Sequence, residues 1–230
     1  MTSEWIELTA ADGHTLSAYV AKPQGEAKGA VVVVQEIFGV NASIRGVAEG
    51  FAREGFVGIA PALFDRFGKD IQLGYSAEEM QKAFQTYYPK LNKDDSLKDI
   101  AAAFDWARGT GKGTAVVGFC YGGLMAWLSA TRGEELGMKP ACAVGYYAGG
   151  VGSVASETPS CPVMLHFGGA DDHIGPEQRE AVAKAHPGVE IFVYDGAGHA
   201  FANPDRSSYV AQAAKLAEGR TLAFLNKHLG

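Results

Sequence analysis

The chain has 230 residues, 47% of them apolar and 20% charged, which is the composition of a globular protein with room for a sizeable core. A formal net charge of -6 with no basic run gives nucleic acid no electrostatic footing. No apolar run is long enough to span a membrane, and Met1-Thr2-Ser3-Glu4-Trp5 lacks the regions of a signal peptide, so a cytoplasmic soluble protein is expected.

Residues 5–9 and 14–21 alternate as two strands, with Asp12-Gly13 as the hairpin turn between them. Ala30-Val31-Val32-Val33-Val34 reads as a strand buried on both faces, as in a parallel sheet. Asn41 can cap a helix to about Glu54, and 56–60 is a further buried strand stopped by Pro61. Residues 62–75 are expected to be irregular. Ser76-Ala77-Glu78-Glu79 has the form of a capping box, opening helices over roughly 76–88 and 94–108. Strands follow at 114–119, 141–147, 163–167 and 189–194, and helices at 121–132 and 176–185. The closing helix lies within 206–228, with Val210, Ala214, Leu216 and Leu222 as its expected buried positions. A hairpin followed by alternating strands and helices predicts an α/β fold: one domain over 1–230, with a mostly parallel central sheet covered by helices on both faces.

In such a sheet the site lies beyond the carboxyl ends of the strands, so the residues just after each strand carry the argument. Gly118-Phe119-Cys120-Tyr121-Gly122 has the form of a nucleophile elbow, between a strand and a helix, with cysteine as the nucleophile. The thiolate is the reactive form of cysteine, and a helix start and a nearby histidine both favour it. Asp171 or Asp172 follows a later strand, and His199 follows the last one. This is the chain order nucleophile, acid, histidine. His173 is the competing base. His166, inside a strand, reads as a core histidine, and His14, His186 and His228 as surface residues. Cys142 and Cys161 read as core. The three cysteines have no metal-like spacing, and their odd count fits reduced thiols. Glu36, directly after the valine run, needs a partner. Either it pairs with a base such as Arg45, or it reaches the Cys120 thiol and sets its protonation. The backbone N–H groups of Ile37 and Tyr121 are then placed for an oxyanion hole.

Taken together, Gln35-Glu36-Ile37-Phe38-Gly39-Val40-Asn41, the Cys120 elbow with Gly123, His166-Phe167-Gly168-Gly169-Ala170-Asp171 and Ala197-Gly198-His199-Ala200-Phe201 resemble the dienelactone hydrolase (carboxymethylenebutenolidase) family, from about residue 4 to residue 226. The resemblance implies an α/β-hydrolase fold and a Cys120-His199-Asp171 triad. It also implies a Glu36 that holds or activates the thiol, and opening of a dienelactone ring to maleylacetate through an acyl-cysteine. No metal or organic cofactor is implied. The partner is a small lactone or ester, and the expected state is a monomer or small homo-oligomer. The chain departs from the family where arginines bind the substrate carboxylate. Asn203 stands at one such place, and no arginine occurs from Phe67 through Ala107. Arg206, Arg66, Lys69 or Lys82 is then the candidate replacement, and Arg206, Phe38 and Tyr88 are candidate substrate contacts. Hydrolysis of another small ester or thioester is the alternative, and a redox-sensing or ligand-binding protein on the same scaffold is a third reading.

Overall fold

The valine run organises the molecule. In the computed structural model, which describes residues 1–110 and 112–229, Ala30–Val34 is a strand whose five residues are all fully buried. Eight strands form one sheet: β1 (Thr2–Thr9), β2 (Thr15–Lys22), β3 (Ala30–Val34), β4 (Val57–Pro61), β5 (Thr114–Phe119), β6 (Ala143–Tyr146), β7 (Val163–Gly168) and β8 (Glu190–Tyr194). Their spatial order is β1-β2-β4-β3-β5-β6-β7-β8. β1–β2 and β2–β4 pair antiparallel, and every other pair is parallel. Pro61 does not stop β4 short as expected. It is the last strand residue, in register with Ala18, a position at which the missing N–H costs the ladder little.

The helices are α1 (Ala42–Arg53), α2 (Ala77–Lys82), α3 (Lys93–Arg108), α4 (Tyr121–Arg132), α5 (Pro176–Ala185) and α6 (Ala211–Leu229). Asn41 caps α1 by accepting from the Ile44 N–H at 3.2 Å, and Ser76 caps α2 through the Glu79 N–H at 3.3 Å. α2 is shorter than expected: the chain widens into a π turn over Ala83–Tyr87 and tightens into a 3-10 turn over Tyr88–Lys90. A further 3-10 turn, Leu63–Arg66, interrupts the stretch expected to be irregular.

Strand alternation assigns the layers. A Cβ on Gly118 or Gly145 would meet the backbone of α4, whereas the next residues, Phe119 and Tyr146, face the other side, where α1 and α6 lie. The sheet is thus covered on both faces. α6 docks through Ala213, Ala217, Thr221, Phe224 and Leu225, a face rotated from the expected one. Leu216 is exposed, and Ala214 and Leu222 are half-buried. The apolar content of α6 is spread around its circumference, so periodicity alone does not select its docking face.

Candidate active site

Cys120 sits at the tip of the sharp turn between β5 and α4, with φ +53° and ψ -115°. Few non-glycine residues adopt this backbone, and surrounding structure must enforce it. Cys120 N–H donates to the Tyr146 carbonyl at 3.0 Å, and Cys120 C=O accepts from Gly123 and Leu124. The turn closes because Gly118 and Gly122 carry no side chain. A Cβ on Gly118 would lie 1.8 Å from the Gly122 oxygen. The Cys120 side chain is left half-buried beyond the carboxyl end of the sheet.

His199 reaches it from the loop after β8. Phe201, fully buried against Tyr194 and Tyr147, anchors this loop, and Ser208 donates to the His199 carbonyl. Asp171, after β7, accepts from His199 Nδ1 at 2.9 Å through Oδ2. Its Oδ1 accepts the backbone N–H groups of His173 and Ile174, at 2.9 and 3.2 Å. The geometry therefore separates the two aspartates. Asp171 is buried on the histidine, and Asp172 is exposed with only a 3.7 Å approach to His173. His173 stacks edge-on against His199 at 5.2 Å but its own ring is mostly exposed.

Burial works against the imidazolium of His199, but its interactions with Asp171 and Cys120 prevail and push its pKa up to about 10. Burial alone would raise the Asp171 carboxyl, and the His199 ring outweighs it and holds the group below its usual range. The pH consequence has a definite sign. The folded pKa of His199 exceeds the unfolded value of about 6.5, so its stabilisation is complete below about pH 6.5 and disappears as pH rises through the folded value. The urea midpoint is expected to fall between about pH 6.5 and 10 more steeply in wild type than in His199→Gln. Parallel curves for the two proteins would refute the coupling.

Glu36, 2% exposed after β3, does not pair with Arg45, which bonds the Val40 carbonyl and Gln72 instead. Nor does it hydrogen-bond Cys120 among the described residues. Its Oε2 accepts from Tyr75 OH at 3.0 Å and from Asn203 Nδ2 at 3.2 Å, while Oε1 has no partner. Burial raises its pKa, against the opposing charge of Arg206 and the Tyr75 hydrogen bond. Tyr75, itself pushed up to about 12 by burial and then by Glu36, is also bonded by Asn41 and Asn203. Neither the Ile37 nor the Tyr121 N–H has a hydrogen-bond acceptor among the described residues.

The other candidates are distributed unevenly. Arg206 lies over the rings of Phe38 and Tyr75, at 5.5 and 5.4 Å, which brings one positive charge and Phe38 to the Glu36 side of the site. Arg66 is tied to Asp99 and Asp12, Lys69 to Asp65, and Lys82 lies over Tyr87. Tyr88 is half exposed, with Phe84 as its aromatic neighbour. His166 is a satisfied core residue, bonded to Tyr194 and Thr221. His14, His186 and His228, expected at the surface, are half-buried. Burial pushes the Cys142 and Cys161 thiols up to about 12, so neither is poised as a resolving thiolate. Tyr147, fully buried with φ +37°, packs against the His199 ring at 5.2 Å with the two planes tilted by 60°; sequence reading passed over it, although it follows β6 directly. Among the described residues no cluster of three or more His, Cys, Asp or Glu side chains is placed to hold a metal ion. No helix among them is long and apolar enough to cross a membrane.

Residues 16–229 match the dienelactone hydrolase family. The chain belongs to that family. It is a hydrolase of the lactone and ester class. A carboxymethylenebutenolidase of Pseudomonas putida is 32% identical over 234 residues, covering 98% of this chain and 97% of that protein. A solved structure from Klebsiella pneumoniae, assigned as a dienelactone hydrolase, is similar with a TM-score of 0.79 at 30% identity, covering 97% of this chain and 98% of that one. A dienelactone hydrolase-like promiscuous phosphotriesterase from metagenomic libraries, P91, shares the fold of the hydrolase with a TM-score of 0.80 at 20% identity over both full lengths.

Proposed function

We propose that the hydrolase opens a dienelactone through an acyl-cysteine. The observation that carries this reading is the Asp171–His199 pair set beside a cysteine on a left-handed elbow. Burial raises the proton affinity of Glu36, while Arg206 and the Tyr75 and Asn203 hydrogen bonds support its ionised form. When substrate enters, the Glu36 carboxylate takes the Cys120 proton and becomes the neutral acid. The thiolate attacks the lactone carbonyl. The oxyanion is received by the N–H groups of Ile37 and Tyr121. The ring C–O bond breaks, and the enolate leaves and takes the proton of the His199 imidazolium to become the ketone of maleylacetate. Acylation removes the Cys120 interaction that supports the imidazolium of His199. The neutral ring, oriented by Asp171, then takes a proton from water, whose oxygen attacks the thioester and expels the Cys120 thiolate, and Glu36 returns its proton to that thiolate.

Arg206 is the proposed partner of the substrate carboxylate, because it reaches the Glu36 side over Phe38 and Tyr75. A second reading, hydrolysis of a neutral ester, is favoured by Asn203 at the place expected for an arginine and by the internal pairing of Arg66 and Lys69. One experiment separates them: kcat/KM for cis- and trans-dienelactone and for p-nitrophenyl acetate, in wild type and Arg206→Met. For the dienelactone reading, Arg206→Met lowers dienelactone turnover by about 10- to 100-fold, the worth of one charged contact, and changes p-nitrophenyl acetate hydrolysis little. Wild-type activity on the neutral ester alone would reject that reading.

A further inference from the structure

A cleft of about 740 Å³ opens between α1 and α6, within the size range of small-molecule sites. Cys120, His199, Ile37 and Phe38 do not line it, whereas Glu36, Asn203 and Tyr147 face both it and the candidate active site. Its inner end is formed by Glu36, Asn203, Tyr147, Tyr146, Phe119 and Thr221. Most polar atoms there are engaged. Tyr146 and Thr221 bond each other at 2.6 Å, and Asn203 bonds Glu36 and Tyr75. Two are not. Glu36 Oε1 is buried with no partner, and the Tyr147 hydroxyl makes no hydrogen bond among the described residues. An unpaired buried polar atom is costly, and a ligand that pairs it relieves that cost.

The walls are built to stay open. Gly46 and Gly50 stand one turn apart on the α1 side, opposite Ala214 of α6. Glycine inside a helix costs about 1 kcal/mol relative to alanine, so two of them call for a reason. Close packing is not that reason, since a Cβ on Gly46 would meet nothing within 4 Å and one on Gly50 only the Arg53 side chain at 3.7 Å. Val47, Phe51 and Leu222 supply apolar surface along the cleft.

We propose that this cleft is a second binding site, for a neutral, largely apolar small molecule carrying a hydroxyl group, which reaches Glu36 without passing the nucleophile. A hydroxyl donates to Glu36 Oε1 and accepts from the Tyr147 hydroxyl, and so pairs both open atoms. The aromatic floor of Phe119, Tyr146 and Tyr147 suits an aromatic body. An anionic ligand is disfavoured because its charge would face the Glu36 carboxyl, and no basic side chain lines the inner end. The mouth carries both signs, Arg53 and Lys215 with Glu54, Asp205 and Glu218, and selects no charge.

The test is calorimetric titration of the full chain with 2-phenylethanol and with its anionic counterpart phenylacetate. Binding is read without turnover, so the result stands apart from the roles assigned to Cys120 and His199. Saturable one-to-one binding of 2-phenylethanol, much weaker for phenylacetate, is expected. Gly46→Leu and, separately, Ala214→Leu fill the cleft from opposite walls and weaken binding by roughly tenfold or more, as wall atoms take the ligand's volume. Circular dichroism identifies which variants are folded, and either one suffices. The proposal is overturned by absence of saturable binding to wild type, by unchanged affinity in a folded wall variant, or by phenylacetate binding as tightly as the alcohol.

Discussion

Cys120→Ala is expected to lower kcat on the best substrate by about 10⁴-fold or more, because removing the proposed nucleophile leaves only binding and oxyanion stabilisation. Alanine keeps the backbone requirement of the elbow, so φ +53° remains equally strained and the melting temperature stays close to that of wild type. That control separates loss of chemistry from loss of fold. Rapid-quench mass spectrometry should find a substrate-derived acyl group on the Cys120 peptide of wild type and none on the variant. Activity within tenfold of wild type in purified Cys120→Ala would reject the acyl-cysteine mechanism.

Gly118→Ala carries the largest expected effect on stability. The new methyl would lie 1.8 Å from the Gly122 oxygen and 2.2 Å from its carbonyl carbon. Both belong to the backbone of the turn, so no side-chain rotation relieves the overlap, and either β5 or the start of α4 must move. The expected cost is about 4 kcal/mol or more, a drop in melting temperature of roughly 10 °C for a chain of this size. Gly219→Ala is the matching control. Gly219 lies inside α6 with open space around the added Cβ, and the same substitution there should stabilise by up to about 1 kcal/mol. Differential scanning calorimetry of the two variants checks both signs. Equal melting temperatures would mean that the elbow is not as tightly closed as its geometry states.

Much of the site is legible along the chain because its signals are local. The strand, the small flanking residues and the helix around Cys120 are contiguous, and a turn that needs glycine at two fixed positions leaves its mark in the residue types. The same holds for the valine run of β3 and for the caps Asn41 and Ser76. His199 is distinguished by chain order, which the parallel topology turns into proximity.

Other features were settled only by folding. Asp171 and Asp172 are chemically identical neighbours. The turn uses one oxygen of Asp171 to hold two backbone N–H groups, and this aims the other at His199. The partners of Glu36 come from distant stretches, Tyr75 and Asn203, so no local pattern announces them. Long flexible basic side chains are equally opaque: Arg66 and Lys69 close on nearby carboxylates, whereas Arg206 reaches the site over two aromatic rings. The docking face of α6, and with it the cleft against α1, depends on packing between surfaces far apart in the chain. Residue type and spacing specify backbone preferences and the order of chemical groups. Which buried polar atom meets which partner is decided when desolvation forces each to find one, and that choice is made in three dimensions.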